Sequence, residues 1–278
     1  MDIRIVLTLL KKEVDDSLRN RWFILFAGMF TGLALLLSWL SLNSGGAGFT
    51  GFAGFGRTAA SLINLVLLIV PLMALTVGAG SMAGEWEQGT LSFLLAQPVT
   101  RLEVLTGKYL GLAAAMSGAL AFGFGLSGVV LALQGGQTAI GAYVWLTGLA
   151  VLLSLAMIGL GMLISVLARS GSLATGSALF LWFILVFGAD LGLMGTTLAF
   201  KLPIQTLFKL ALINPLQVFK MASLVSINAT LDVLGPAGHY ALQTYQANLI
   251  WLFLGALATW IILPLAATGV IFIRYKDL

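Results

Sequence analysis

The chain has 278 residues, of which 60% are apolar and only 9% charged, with a net charge of +4. Soluble domains average about 25% charged residues, so most of this surface must face lipid. The basic residues form no cluster with interleaved aromatics, which argues against nucleic acid and for membrane topology. With no cysteine and a single histidine, His239, the chain has no disulfide, no thiolate chemistry and no multi-histidine metal site.

Residues 1–21 are charged and amphipathic. Ile3, Val6, Leu7, Leu10, Val14 and Leu18 recur every three or four residues, and Arg4, Lys11, Lys12, Arg19 and Arg21 surround that stripe together with Glu13, Asp15 and Asp16. The acids argue against a cleavable signal peptide. The pattern predicts a helix lying in the cytoplasmic interface with its stripe toward lipid. Residues 22–42 are the first run of the ~20 apolar residues that cross a bilayer. Residues 43–57, rich in glycine with Phe49, Phe52 and Phe55, read as an interfacial loop. Residues 58–83 are the second span, with Pro71 inside it.

Residues 84–106 form the long polar interruption, running up to Lys108. Leu91, Phe93, Leu94 and Leu95 make a short helical pattern after Glu85 and Glu87. Pro98, which lacks an N–H, stops it. Thr100 and Glu103 then have the spacing of a capping box that starts a new helix. Spans follow at 107–133, 139–167 and 172–198. Residues 199–247 are too mixed to cross in one piece. They read as an outer segment of short amphipathic helices broken at Asn214-Pro215. The last span is 248–273, with Pro264 inside.

The reading is therefore one all-helical membrane domain with six spans and both termini on one side. If that side is the cytoplasm, ten basic residues lie inside and four outside. This is the bias that sets orientation in an inner membrane, and it makes 84–106 cytoplasmic.

The chain contains no G-x-x-x-x-G-K-[ST], since Gly107-Lys108 is followed by Tyr109. Nucleotide chemistry must then belong to a separate subunit. Gly84-Glu85-x-Glu87-x-Gly89-Thr90-Leu91, with Leu94-Leu95, Pro98, Arg101 and Gly107-Lys108, resembles the signature of type-two ABC exporter permeases. The leader around Lys12-Glu13-x-x-Asp16 is similar to the connecting helix of that family. Within the family the chain resembles the NosY type, the permease of the transporter that matures the copper centre of nitrous-oxide reductase. Asn214-Pro215-x-x-x-Phe219-Lys220 carries that narrower likeness together with the leader and the polar stretch.

The resemblance implies a homodimer bound to two ABC ATPase subunits, with ATP on the partner and no cofactor in this chain. It implies that residues 84–106 contain the coupling helix. Glu85 and Glu87 would open that helix and face the ATPase. Gly89, Thr90, Leu91 and Leu94 would pack on it, and Arg101 and Lys108 would pair with it or with lipid phosphate. It also suggests a sulfur- or copper-related cargo and a periplasmic copper-handling partner; drug, lipid or peptide cargo are alternatives.

Other classes have weaker signals. Asp190 near the outer end of span five, with Met157 and Met162 in span four, are candidates for a translocation path, or Asp190 for a secondary carrier. Met157 and Met162 stand five apart, which does not align them on one helix face, and methionine commonly fills gaps. Gly125-Leu126-Ser127-Gly128 imitates an intramembrane serine protease, with His239 as the base. But that chemistry needs the histidine held on a neighbouring span, and His239 falls in a turn-rich loop after Pro236; small-residue packing explains the pattern better. The G-x-x-x-G pairs are no more frequent than 33 glycines predict.

Overall fold

The computed structural model describes residues 2–43, 52–132, 140–168, 170–188, 191–192, 203–226, 244 and 248–274. Among these the protein is helical, with no strand. We number the helices α1 (Ile3–Arg19), α2 (Arg21–Asn43), α3 (Phe52–Glu87), α4 (Thr90–Leu95), α5 (Arg101–Ala132), α6 (Ile140–Leu167), α7 (Gly171–Phe183), α8 (Ile204–Leu212), α9 (Pro215–Ser226) and α10 (Leu249–Arg274). A π-helical turn, Ile184–Gly188, continues α7. Among the described residues, six helices are long and apolar enough to cross a membrane: α2, α3, α5, α6, α7 with its π turn, and α10.

The architecture is a central pair, α3 and α6, with the other helices around it. α3 packs on α6, and α7, α10, α5 and α2 add outward from that pair. In lipid, apolar burial gives little driving force, so helices associate through close van der Waals packing at small residues. The central contact follows that rule. A Cβ on Gly78 would lie 2.7 Å from the Ile158 carbonyl, and one on Gly161 would lie 2.6 Å from the Leu75 carbonyl. The two backbones therefore touch at a glycine pair. In the other half of the spans, aromatic edges fill the space between α2, α5 and α6. Phe30 meets Phe124 at 5.3 Å and Phe124 meets Tyr143 at 5.7 Å, both edge to face.

Several elements differ from the sequence expectation. α3 begins at Phe52 and runs 36 residues through Glu87. At 1.5 Å per residue it is about 54 Å long, far more than the ~30 Å hydrocarbon core. Residues 52–57 are thus helix, while 44–51 lie outside the described residues. The apolar stripe of α1 is divided: Val6 is buried, whereas Ile3, Leu7 and Leu18 are exposed, and the buried face also holds Leu9, Glu13 and Ser17, which lie outside that stripe. α1 lies on α5, so one of its faces belongs to the protein rather than to lipid.

The segment before the last span differs most. α8 and α9 meet at 111°. α9 is buried along nearly its whole length, packed on α6, α10 and α3. It is not a surface helix. Asn214 makes the corner: its Oδ1 accepts from Leu216 N at 2.9 Å, capping α9, and its Nδ2 donates to Leu185 O at 2.7 Å in the π turn. Pro215 can open α9 because a first-turn residue needs no N–H donor. Residues 227–243, with His239, and Asp190 lie outside the described residues.

Candidate functional site

The polar stretch folds as a helix end, a tight corner, a short helix and a capped restart. Glu85 and Glu87 do not open the short helix; they close α3. The chain then turns at Gly89, whose φ of 70° is the left-handed conformation that glycine adopts without strain. α4 follows with one face on the bundle. Leu91 is buried, and Phe93 on the opposite side is 76% exposed. After Pro98 the capping box forms as the spacing predicts. Thr100 N donates to Glu103 Oε2 at 2.8 Å, and Glu103 N donates to Thr100 Oγ1 at 3.3 Å. The other carboxylate oxygen of Glu103 accepts from Asp2 N at 2.6 Å. The start of the chain is thereby tied to the start of α5.

The charged side chains of the stretch turn inward. Glu85 Oε1 receives two lysines, Lys12 Nζ at 2.7 Å and Lys108 Nζ at 2.9 Å. Lys108 also donates to Glu13 Oε1 at 2.6 Å and to Ser81 O at 3.1 Å. Lys12 lies 3.7 Å from Asp16 Oδ2, one turn further along α1. The result is an ion cluster joining α1, the end of α3 and the start of α5. Only 1% of the Lys108 side chain and 7% of that of Glu13 is exposed. Lys108 is therefore not available to lipid phosphate or to another subunit. The pKa of Lys12 is raised. Burial pulls it down, but the hydrogen bond and charge of Glu85, with Glu13 and Asp16 behind, outweigh that.

Glu87 reaches a different partner. Its Oε2 accepts from Gly171 N at 2.8 Å, at the positive N-terminus of α7. Ser170 caps the same helix by accepting from Leu173 N. Arg101 sends Nη1 to Phe272 O at 2.7 Å, and its guanidinium stands 5.7 Å from the Phe272 ring. It thus satisfies a carbonyl near the C-terminus of α10, where a cation is favoured. Glu85, Glu87, Arg101 and Lys108 therefore make bonds that tie the stretch to α1, α5, α7 and α10. Gly89, Thr90, Leu91 and Leu94 form the corner and α4; Leu91 is buried against this chain's own bundle, and Thr90 Oγ1 donates to Glu85 O at 3.2 Å.

A glycine pair seats α1 on α5. A Cβ on Gly107 would come 2.6 Å from Leu9 Cβ, and one on Gly111 would come 2.5 Å from Glu13 Cβ. Leu9 and Glu13 are four residues apart, as are Gly107 and Gly111, so two ridges on one helix meet two notches on the other. That matching interval was the available sequence signal, and glycine abundance concealed it.

The remaining candidates separate cleanly. Met157 and Met162 are fully buried in the α6 core. Among the described residues no three His, Cys, Asp or Glu side chains gather where a metal would bind. Ser127 is sealed, hydrogen-bonded to the Tyr143 hydroxyl, and Tyr143 donates onward to Phe124 O at 3.0 Å. Gly128 sits against the Tyr143 ring. Ser127 and Gly128 thus form a seat for a tyrosine.

A family model described as "ABC-2 family transporter protein" matches residues 7–277. The chain belongs to the ABC-2 transporter family. It is 30% identical over 270 residues to "Probable ABC transporter permease protein NosY" of Stutzerimonas stutzeri, covering 95% of this chain and 96% of that one. It is 32% identical over 265 residues to the protein of the same name in Pseudomonas aeruginosa strain PAO1, covering 92% and 93%. The chain is thus an ABC-2 permease, the membrane-spanning subunit of an ABC transporter. An ABC permease implies an ATPase subunit beside it, in keeping with the missing phosphate-binding loop.

Proposed function

We propose that residues 84–108 of this permease are the elbow on which its ATPase subunit acts, and that ATP binding there tilts the spans against each other. The observation that carries this reading is the division of labour in the stretch. Its charges are bonded within the chain, while α4 offers outward an uncharged face with Phe93 at its centre. Gln88, Ser92 and Gln97 are exposed around it. An exposed aromatic ringed by small polar groups is the composition of an interface anchor. The ion cluster then serves to make α1, α3 and α5 move as one piece, because packed elements have discrete arrangements rather than continuous ones.

The rest of the proposal follows the positive-inside count. Both termini and the elbow lie in the cytoplasm, the membrane is the inner one, and two copies of the permease work with two ATPases. The likeness to the two NosY permeases favours a sulfur- or copper-related cargo that supports maturation of a copper enzyme, with a periplasmic copper-handling partner.

Two measurements test this. In co-purification of the permease with its ATPase, Phe93→Asp should weaken assembly by about 30-fold, the scale of a lost aromatic anchor, while raised salt should leave it nearly unchanged. Assembly that withstands Phe93→Asp would place the ATPase elsewhere. Cells lacking this permease should make a copper enzyme short of its metal; a fully metallated enzyme would favour drug, lipid or peptide cargo.

A further inference from the structure

We propose that Ser165 on α6 is a positioning residue for coupling: it holds open a joint in α3, between the spanning part of that helix and the end that carries Glu85 and Glu87. This rests on the reading of residues 84–108 as the part the ATPase moves. Ser165 is buried, and its Oγ accepts two backbone donors of α3, Met82 N at 2.9 Å and Ala83 N at 2.8 Å. An amide inside an α-helix bonds the carbonyl four residues back. For Met82 that carbonyl belongs to Gly78, which accepts the Ser81 hydroxyl at 2.7 Å. The carbonyl of Ser81 in turn accepts Lys108 Nζ at 3.1 Å. Side chains from two other helices and from α3 itself have therefore entered this turn.

A side chain inserted into the hydrogen-bond ladder is a recognised cause of helix bending, as are glycine and serine together. The local sequence is Gly78-Ala79-Gly80-Ser81-Met82-Ala83-Gly84, in which three glycines within seven residues lower the helix propensity of α3. The glycine contact of Gly78 with Gly161 fixes α3 to α6 just before the joint. Beyond it, α3 is held by the ion cluster and by the bond from Glu87 to Gly171. A fixed point, a weakened turn and a handle follow one another along the same helix. Ser165 gives the two amides an acceptor outside the helix ladder. Without it they would have to return to the ladder or remain unpaired in a site that excludes water, which costs too much to persist. Ser165 therefore sets the angle at which the elbow meets the spans.

The test is hydrogen exchange on the intact complex of permease and ATPase in lipid, nucleotide-free and trapped with ADP and vanadate. In the unaltered protein the amides of Met82 and Ala83 should exchange at rates differing by about tenfold or more between the two states. Ser165→Ala should abolish that difference while ATP hydrolysis continues, and Ser165→Thr, which keeps the hydroxyl, should restore it. Equal exchange at Met82 and Ala83 in both states, with residues 84–100 still responding to nucleotide, would overturn the joint and leave the elbow standing. No response anywhere in 84–100 would overturn both. The measurement on the unaltered protein decides the matter even if the alanine variant does not assemble.

Discussion

Lys108 Nζ lies 2.6 Å from Glu13 Oε1, a buried ion pair that spans 95 residues of sequence and fastens the leader helix to α5. Removing one partner of such a pair strands the other charge and typically costs about 3–5 kcal/mol, whereas replacing both by apolar groups of similar size is often neutral. Lys108→Met should therefore lower the thermal midpoint of the purified permease sharply. The double change Lys108→Met with Glu13→Leu should recover a large part, since Lys12 remains to pair Glu85. A double variant no better than the single one would show that the cluster stabilises through more than this pair.

The raised pKa of Lys12 gives a signed pH prediction. A group whose folded pKa lies above its unfolded value of 10.5 contributes fully below that value, and its contribution fades as pH rises through the folded one. Attachment of α1 through Lys12 should thus be constant from neutral pH to about pH 10 and loosen above it. Protease accessibility of residues 1–21 against pH should show that alkaline step. Lys12→Gln should remove the step.

Gly111→Ala places a methyl 2.9 Å from the Leu10 carbonyl as well as against Glu13. α1 should be displaced, with loss of stability of about 1–3 kcal/mol, as for other overpacked contacts. Gly118→Ala on the same helix meets nothing within 4 Å and should be neutral or slightly stabilising, because alanine is the better helix former. Thermal unfolding of the two variants side by side makes the comparison.

The capping box at α5 predicts an order of effects. Thr100→Ala should cost about 1 kcal/mol, the usual loss for an N-cap. Glu103→Ala should cost more, because it leaves two backbone donors, Thr100 N and Asp2 N, without their acceptor. Thermal unfolding should rank them so, and equal losses would mean that the tie to Asp2 contributes nothing.

Composition and apolar run length were enough to fix a six-span helical chain, because lipid admits only helices with internally satisfied backbones or closed barrels. Thr100, Glu103 and Pro98 announced the broken elbow, since caps and breakers act within one helical turn. The likeness of residues 84–108 to ABC permeases was also readable, and the family match over residues 7–277 agrees with it. What the tertiary structure decided was where each charge goes. Glu85, Glu87, Arg101 and Lys108 look like surface groups in a polar stretch, yet Glu85 is paired with α1 and α5, Glu87 with α7, Arg101 with α10, and Lys108 with α1 and α3. A charged side chain at a membrane protein's end takes the nearest opposite charge or unsatisfied backbone group, and nearness there is set by helix packing across long sequence separations. The same holds for α9. Its residues read as surface-compatible, but the corner at Asn214 aims the helix into the bundle, and only the positions of α3, α6 and α10 provide the space that it fills.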